Sequence, residues 1–462
     1  MEQREKESMQ EPRTSSPATV SEPLPLSEDV SAVRARRSAL LIVVLVMFID
    51  LLGFGIVLPL LPRYGKEFLE PLLPGETFIP RFLRGMTLGL LLASFSLMQF
   101  IFAPIWGRIS DWKGRRPFLL LGLLGSVVFY ALFGIASELG GSGNLVVGLV
   151  LLFIARIGAG IAGATVSTAQ AVIADTTTPE RRSRGMALIG AAFGVGFAIG
   201  PAIGAGALAV FPDVRGAPGY VASVLSFVAL LMGITLMPET VRRGVSAGRR
   251  NWFNLQGFRT AMQIPTVGLL IVMFFLATVA FGNFEATLAL LTQDILHYRD
   301  KDNLLVFTYV GVVLLLAQGG LYQVLARRGM TELAFMSVGA SLMILGLGGM
   351  GGVTWLGSNP ETLEPAVTKQ FLSLFLLTAT LAVIGFAFVI PSVQSLISRR
   401  SDPTKQGEVL GVNQSVNALS RILGPIVAVS LYALRPTFPY VAGVSLLAVV
   451  LLLMPRVRQR ER

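Results

Sequence analysis

Twelve apolar runs, each about as long as a bilayer's hydrocarbon core is thick, leave this chain few ways to fold. They fall at 39–61, 85–106, 117–137, 145–174, 184–210 and 218–237, then at 267–293, 304–325, 332–352, 370–397, 408–433 and 437–454. A spanning helix needs about 20 apolar residues. Lipid offers no hydrogen-bond partner, so each backbone group must be satisfied within its own segment, and helix is the only open-ended structure that achieves this. The expected fold is therefore all-α and integral to a membrane, with twelve transmembrane helices.

Composition points the same way. Hydrophobic residues make up 53% of the chain and charged residues 14%, against about 45–50% and 25% in soluble domains. Too few charges remain to cover the surface of a soluble protein of 462 residues. The 49 glycines suit close helix packing in lipid, where no hydrophobic drive separates one apolar surface from another. With no cysteine, disulfides and thiolate metal sites are excluded. The single histidine, His297, falls in a charged connection and reads as a solvated loop residue.

Two sets of six runs flank a polar stretch containing Arg242, Arg243, Arg249, Arg250 and Arg259. The expected organisation is a disordered cytoplasmic tail (1–38), a six-helix bundle (39–237), a cytoplasmic linker (238–266), a second six-helix bundle (267–454) and a basic cytoplasmic tail (455–462). Of the 38 Lys and Arg, 27 fall on the side of the termini and 9 on the opposite side. By the positive-inside tendency, both termini are expected in the cytoplasm. The formal charge of +11 is then an orientation signal with an attraction to anionic lipid, and no nucleic-acid partner is expected.

The halves echo each other. Gly200-Pro201 lies mid-span in the fifth run and Gly424-Pro425 in the eleventh, the fifth of its own set. The loop from Gly107 to Pro117 has a fainter counterpart in Gly320 and Arg327-Arg328-Gly329. An internal repeat, giving two pseudo-symmetric bundles, is the expectation.

Four patterns carry a family resemblance. The second-to-third loop reads Gly107-Arg-Ile-Ser-Asp111-Trp-Lys-Gly114-Arg115-Arg116. The fourth run holds Leu152-Phe-Ile-Ala-Arg156-Ile-Gly-Ala159-Gly160, and the fifth holds Gly196-Phe-Ala-Ile-Gly200-Pro201-Ala-Ile-Gly204. The first ends Leu52-Gly53, then Pro59 and Pro62. Together they resemble the major facilitator superfamily, and within it the twelve-helix drug:proton antiporters. Ile49-Asp50-Leu51-Leu52-Gly53, Ile173-Ala174-Asp175 and Ile390-Pro391 to Gln394 are most similar to the tetracycline-resistance efflux branch. This chain departs from that branch in helix 3, where Val128-Phe129-Tyr130 stands in place of an aspartate, and in helix 7, where Glu285 is an acid the branch lacks.

What the resemblance implies is the major facilitator fold and a secondary active transporter, expected to couple export of a small amphipathic compound to a proton gradient. Gly107, Asp111, Gly114, Arg115, Arg116 and Asp175 are implied to form a cytoplasmic latch, with Asp111 near the start of helix 11. Gly160, Gly196, Gly200, Pro201, Gly204, Gly424 and Pro425 are expected to act in hinging and close packing.

Four ionisable side chains lie within the spans: Asp50, Arg156, Glu285 and Arg421. Such a residue costs roughly 2.5–3.5 kcal/mol on insertion scales, so it is a functional candidate by default. Asp50, Glu285 and Arg156 are the expected proton-coupling groups, with Asp50 within reach of Arg156 and Glu285 within reach of Arg421. Asn413, Asn417 and Arg421 share one helical face, as do Phe274, Thr278, Phe281 and Glu285. With Phe54, Gln99, Asn283 and Gln394 they are the expected lining of the substrate cavity, suited to a cationic or zwitterionic amphipath. Phe274 and Phe281 are as readily explained by helix packing. No phosphate-binding loop, metal cluster or nucleophile beside a base is present, so no enzyme activity and no cofactor are expected, and an ion gradient is the expected energy source. The remaining expectations are a monomer in the plasma (inner) membrane of a bacterium, with lipid and a small-molecule substrate as partners. The competing reading is a facilitator or proton symporter of a small metabolite on the same fold.

Overall fold

A computed structural model describes residues 30–140, 143–176, 179–237, 239, 255–358, 365–402 and 406–458. Among them every regular element is a helix. The first six crossings are made by α1 (Val30–Val57) with α2 (Leu61–Leu72), α3 (Phe78–Lys113), α4 (Arg115–Leu139), α5 (Leu145–Gly163) with α6 (Val166–Thr176), α7 (Pro179–Val210) and α8 (Ala217–Leu236). A short α9 (Leu255–Gln263) leads into the second six. These are α10 (Pro265–Asp294), α11 (Asp300–Leu316) joined through a π-turn at Ala317–Leu321 to α12 (Tyr322–Arg327), α13 (Glu332–Gly357), α14 (Pro365–Arg400), α15 (Gln406–Leu434) and α16 (Phe438–Arg458). Among the described residues eleven stretches are long and apolar enough to cross a membrane, and α7 adds a shorter apolar stretch at Gly194–Val210, where the twelfth crossing is expected. Most of the expected tails and linker, 1–29, 238, 240–254 and 459–462, lie outside the described residues.

Two crossings are broken by turns, and each break is settled locally. At Leu58–Leu60 the proline Pro59 supplies no N–H, and the chain re-enters helix at Leu61. The first span was expected to end at 61, yet α2 carries the crossing on to Leu72. Hydropathy counts Arg63 and Lys66 against burial, but Arg63 is 6% exposed because an acid from the other half neutralises it. At the second break, between α5 and α6, the carbonyls are taken by neighbours on α3. Gln99 Nε2 donates to the Gly163 oxygen at 3.1 Å, and Trp106 Nε1 to that of Ile161 at 2.8 Å.

The two bundles meet along α3 against α15 and α7 against α11. The first seam is close because glycine leaves room: a Cβ on Gly89 would stand 2.7 Å from the Ile426 Cα. Side chains on the outer faces, such as Val224, Leu345 and Leu452, are apolar and exposed, as a lipid-facing surface requires.

Candidate substrate and ion site

Asp50 sits on α1 within a membrane-spanning stretch, with Ser126 of α4 beside its carboxylate. Its Oδ1 is buried and has no hydrogen-bond partner among the described residues. Arg156 on α5 is 3% exposed, and its Nε is likewise unbonded. The guanidinium lies over the Phe95 ring at 4.7 Å and the Phe54 ring at 6.0 Å, so aromatic faces take part of the place a carboxylate would hold. The expected Asp50–Arg156 ion pair is not among the ion pairs of the described residues. Tyr130 of α4 lies within electrostatic reach of both charges instead.

The second bundle contributes Glu285 from α10 and Arg421 from α15. Both are half-buried and feel each other's charge without an ion pair or hydrogen bond between them. Arg421 also lies within electrostatic reach of Arg156 across the two bundles. Three of the four charged groups thus converge on one region, and Asp50 joins it through Tyr130.

The remaining lining candidates divide. Asn413 is 2% exposed with an unbonded Oδ1, Asn417 lies one turn beyond, and Gln394 is half-buried on α14. Phe54 packs with Phe95 at 4.9 Å and with Phe197 at 6.1 Å. Phe281 stacks on Phe386 of α14 at 3.6 Å and, like Phe274, belongs to the closed core, while Thr278 bonds back to the Phe274 carbonyl at 2.8 Å. Asn283 is placed elsewhere. It is fully buried, and its Nδ2 donates to the Pro439 oxygen of α16 at 3.2 Å. Two positions before Glu285, it points to another side of the same helix.

In the α3–α4 loop, Asp111 pairs with Arg115 at 3.2 Å, one turn further on, rather than with a described residue of α15. Gly114 takes φ +105°, which only glycine adopts freely, and so turns the chain sharply from α3 into α4. Glu239 accepts the backbone N–H groups of Arg115 and Arg116 at 3.0 and 3.3 Å, a carboxylate at the positive end of α4. The Arg116 guanidinium donates to the Ile234 oxygen at 2.5 Å, and Gly107 lies beside Ser167. The side chain of Asp175 and those of 403–408, where a latch partner on α15 is expected, lie outside the described residues. Of the packing residues, Gly196 and Gly200 meet α1, Gly160 meets α3, Gly204 meets Ile56 and Leu304, and Gly424 faces Gly282. Pro201 and Pro425 lie inside α7 and α15.

Ser126, Tyr130 and Glu239 escaped the sequence reading. Only Tyr130 left a trace there, at the point where helix 3 departs from the pattern it resembles.

A model of the Major Facilitator Superfamily matches residues 43–425. The class E tetracycline resistance protein of Escherichia coli is 31% identical over 420 residues, covering 88% of this chain and 92% of that protein. Major facilitator superfamily domain-containing protein 10 of Mus musculus is 27% identical over 450 residues, covering 86% and 88%. Among solved structures, the human organic anion transporter TETRAN is similar at 26% identity and a TM-score of 0.58, covering 91% of this chain and 99% of that one. A D-xylose-proton symporter, 16% identical, shares the fold at a TM-score of 0.68, covering 90% and 97%.

Proposed function

The chain belongs to the major facilitator superfamily, and from that premise we propose that it exports small amphipathic organic compounds in exchange for protons, by alternating access. It is an integral membrane transporter rather than an enzyme. The proposal places it in a bacterial plasma membrane as a monomer, with both termini in the cytoplasm and the proton gradient as its energy source. The relatives named for tetracycline resistance support drug export.

One observation carries the reading: Asp50 is a carboxylate inside a membrane-spanning stretch, its Oδ1 buried with no hydrogen-bond partner and its carboxylate in no ion pair among the described residues. A carboxylate with no fixed cation beside it can take up a proton when one side opens and give it up when the other does. Glu285, one turn beyond Phe281 on α10, provides an acid for a cationic part of the substrate.

A second reading rests on Arg156, a buried cation with no carboxylate bonded to it, which suits an anionic group. A solved relative bears the name of an organic anion transporter. The two readings differ in sign. Protonating Asp50 and Glu285 makes the site more positive, so an anion travels with protons, whereas a cation exchanges against them. In proteoliposomes, an acid interior should drive accumulation of a cationic or zwitterionic dye if the exchange reading is right. Accumulation of an anionic dye driven by an acid exterior would support the second reading instead.

A further inference from the structure

The end of the bundle away from the termini is closed by polar contacts that run from one half to the other. Lys66 of α2 forms an ion pair with Asp294 at the end of α10, whose second oxygen accepts from the Tyr432 hydroxyl of α15 at 3.2 Å. One turn earlier on α2, Arg63 forms an ion pair with Asp300 at 2.8 Å and donates to the Tyr298 carbonyl at 2.6 Å. The break before α2 adds a third tie. The Pro59 carbonyl accepts from Asn303 at 2.9 Å, and Asn303 is itself held by the Thr292 hydroxyl at 2.8 Å.

α2 is also bound to its own half. Glu67 chelates Arg215 through two bonds of 2.8 and 2.5 Å, and the Tyr64 hydroxyl donates to the Arg215 carbonyl at 3.2 Å. The Glu67 hydrogen bonds hold the Arg215 guanidinium above its ordinary pKa. α2 therefore rides with the first bundle while it clasps the second. Beside the Lys66–Asp294 pair lies a cavity of about 270 Å³, lined by Lys66, Glu70, Arg84, Leu290, Asp294 and Tyr432.

We propose that Lys66–Asp294–Tyr432 and Arg63–Asp300 form the gate at this end, the outer end in the orientation proposed above, and that the cavity beside them is the vestibule into which they open. A charged clasp suits a surface that must part. When the halves separate, water replaces each partner, so little free energy is lost. An apolar seam would have to expose its whole area. The breaks at Pro59 and after α10 put these groups on short segments at the rim, clear of the four charged groups of the candidate site. The inference rests on alternating access and not on the proposed substrate or ion.

The chain has no cysteine, so single cysteines can be introduced without background. Leu290, 2% exposed on the vestibule wall, is the reporter. In purified protein in detergent, Leu290→Cys should react slowly with a bulky polar maleimide. Adding Lys66→Ala or Asp294→Asn should raise that rate at least three-fold, and the exchanged pair Lys66→Asp/Asp294→Lys should restore it. Unchanged labelling in both single variants of normal gel-filtration profile would overturn the gate. Independently, Lys66→Cys/Asp294→Cys joined by a reductant-cleavable bis-thiosulfonate should lose transport at least ten-fold and regain it on reduction. Full transport by completely cross-linked protein would also overturn it. Labelling that responds as expected while no pH gradient moves any dye leaves the gate standing and removes the proposed coupling.

Discussion

The ring of Tyr130 occupies the space that a side chain on Gly53 would fill: a Cβ there would stand 2.6 Å from the Tyr130 Cε2. Glycine in α1 thus lets an aromatic residue of α4 pack against this helix, within electrostatic reach of both Asp50 and Arg156.

That arrangement makes Tyr130 testable. Tyr130→Phe keeps the ring and should leave transport within about three-fold of the parent, roughly 0.6 kcal/mol. Tyr130→Ala removes the ring that packs on Gly53 and should reduce transport at least ten-fold with the protein still folded. Initial rates of dye uptake in proteoliposomes decide between them, and equal rates for the two variants would count against a role for the ring.

Asp50→Asn removes the titrating group while keeping its size. Transport driven by a pH gradient should cease, whereas counterflow of labelled against unlabelled substrate should persist. Gradient-driven accumulation at the parental level would remove Asp50 from coupling.

Glu285→Gln separates two roles. Selective loss of cationic compounds, with neutral ones still exported, identifies a counter-ion for substrate; loss of all compounds identifies a proton site. Export assays over a panel of charged and neutral dyes give the answer, and parental activity across the panel would exclude both.

Gly200 lies on α7 where a Cβ would come within 2.9 Å of the Gly55 backbone on α1. Gly200→Val should overpack this contact at a cost of about 1–3 kcal/mol. The expected result is a lower melting temperature, with transport reduced at least ten-fold. A parental melting curve would mean that the seam has slack.

The Asp111–Arg115 pair is partly exposed, so Asp111→Asn should change stability by no more than about 1 kcal/mol. If the loop acts as a latch, transport slows without weaker substrate binding, because removing an interaction made in one state shifts the population toward the other. Spin-label distances between the ends of α3 and α15 nearest the termini report that shift. Glu239→Ala, by contrast, removes a carboxylate from the start of α4 and should destabilise the protein by about 0.5–2 kcal/mol, read from thermal melts.

The sequence alone determined what a one-dimensional pattern can encode. Run length sets the number of crossings, because a bilayer has one thickness and helix has one rise per residue. The rarity of charge in lipid singles out Asp50, Arg156, Glu285 and Arg421 without any coordinates. Periodicity places Asn413 and Asn417 on one face of α15, since a helix repeats every 3.6 residues. Tertiary structure decided which neighbour each of these groups meets. Asp50 and Arg156 have the charges of a pair, yet Tyr130 stands within reach of both because Gly53 makes room for it on another helix. Asn283 looks like a cavity residue until α16 supplies the Pro439 carbonyl that buries it. Arg63 and Lys66 read as loop residues because hydropathy scores each residue by itself. Their burial depends on Asp300 and Asp294, more than two hundred positions away. The cost of burying a charge is set by its partner, and partners across a helix bundle leave no spacing in the chain from which they can be read.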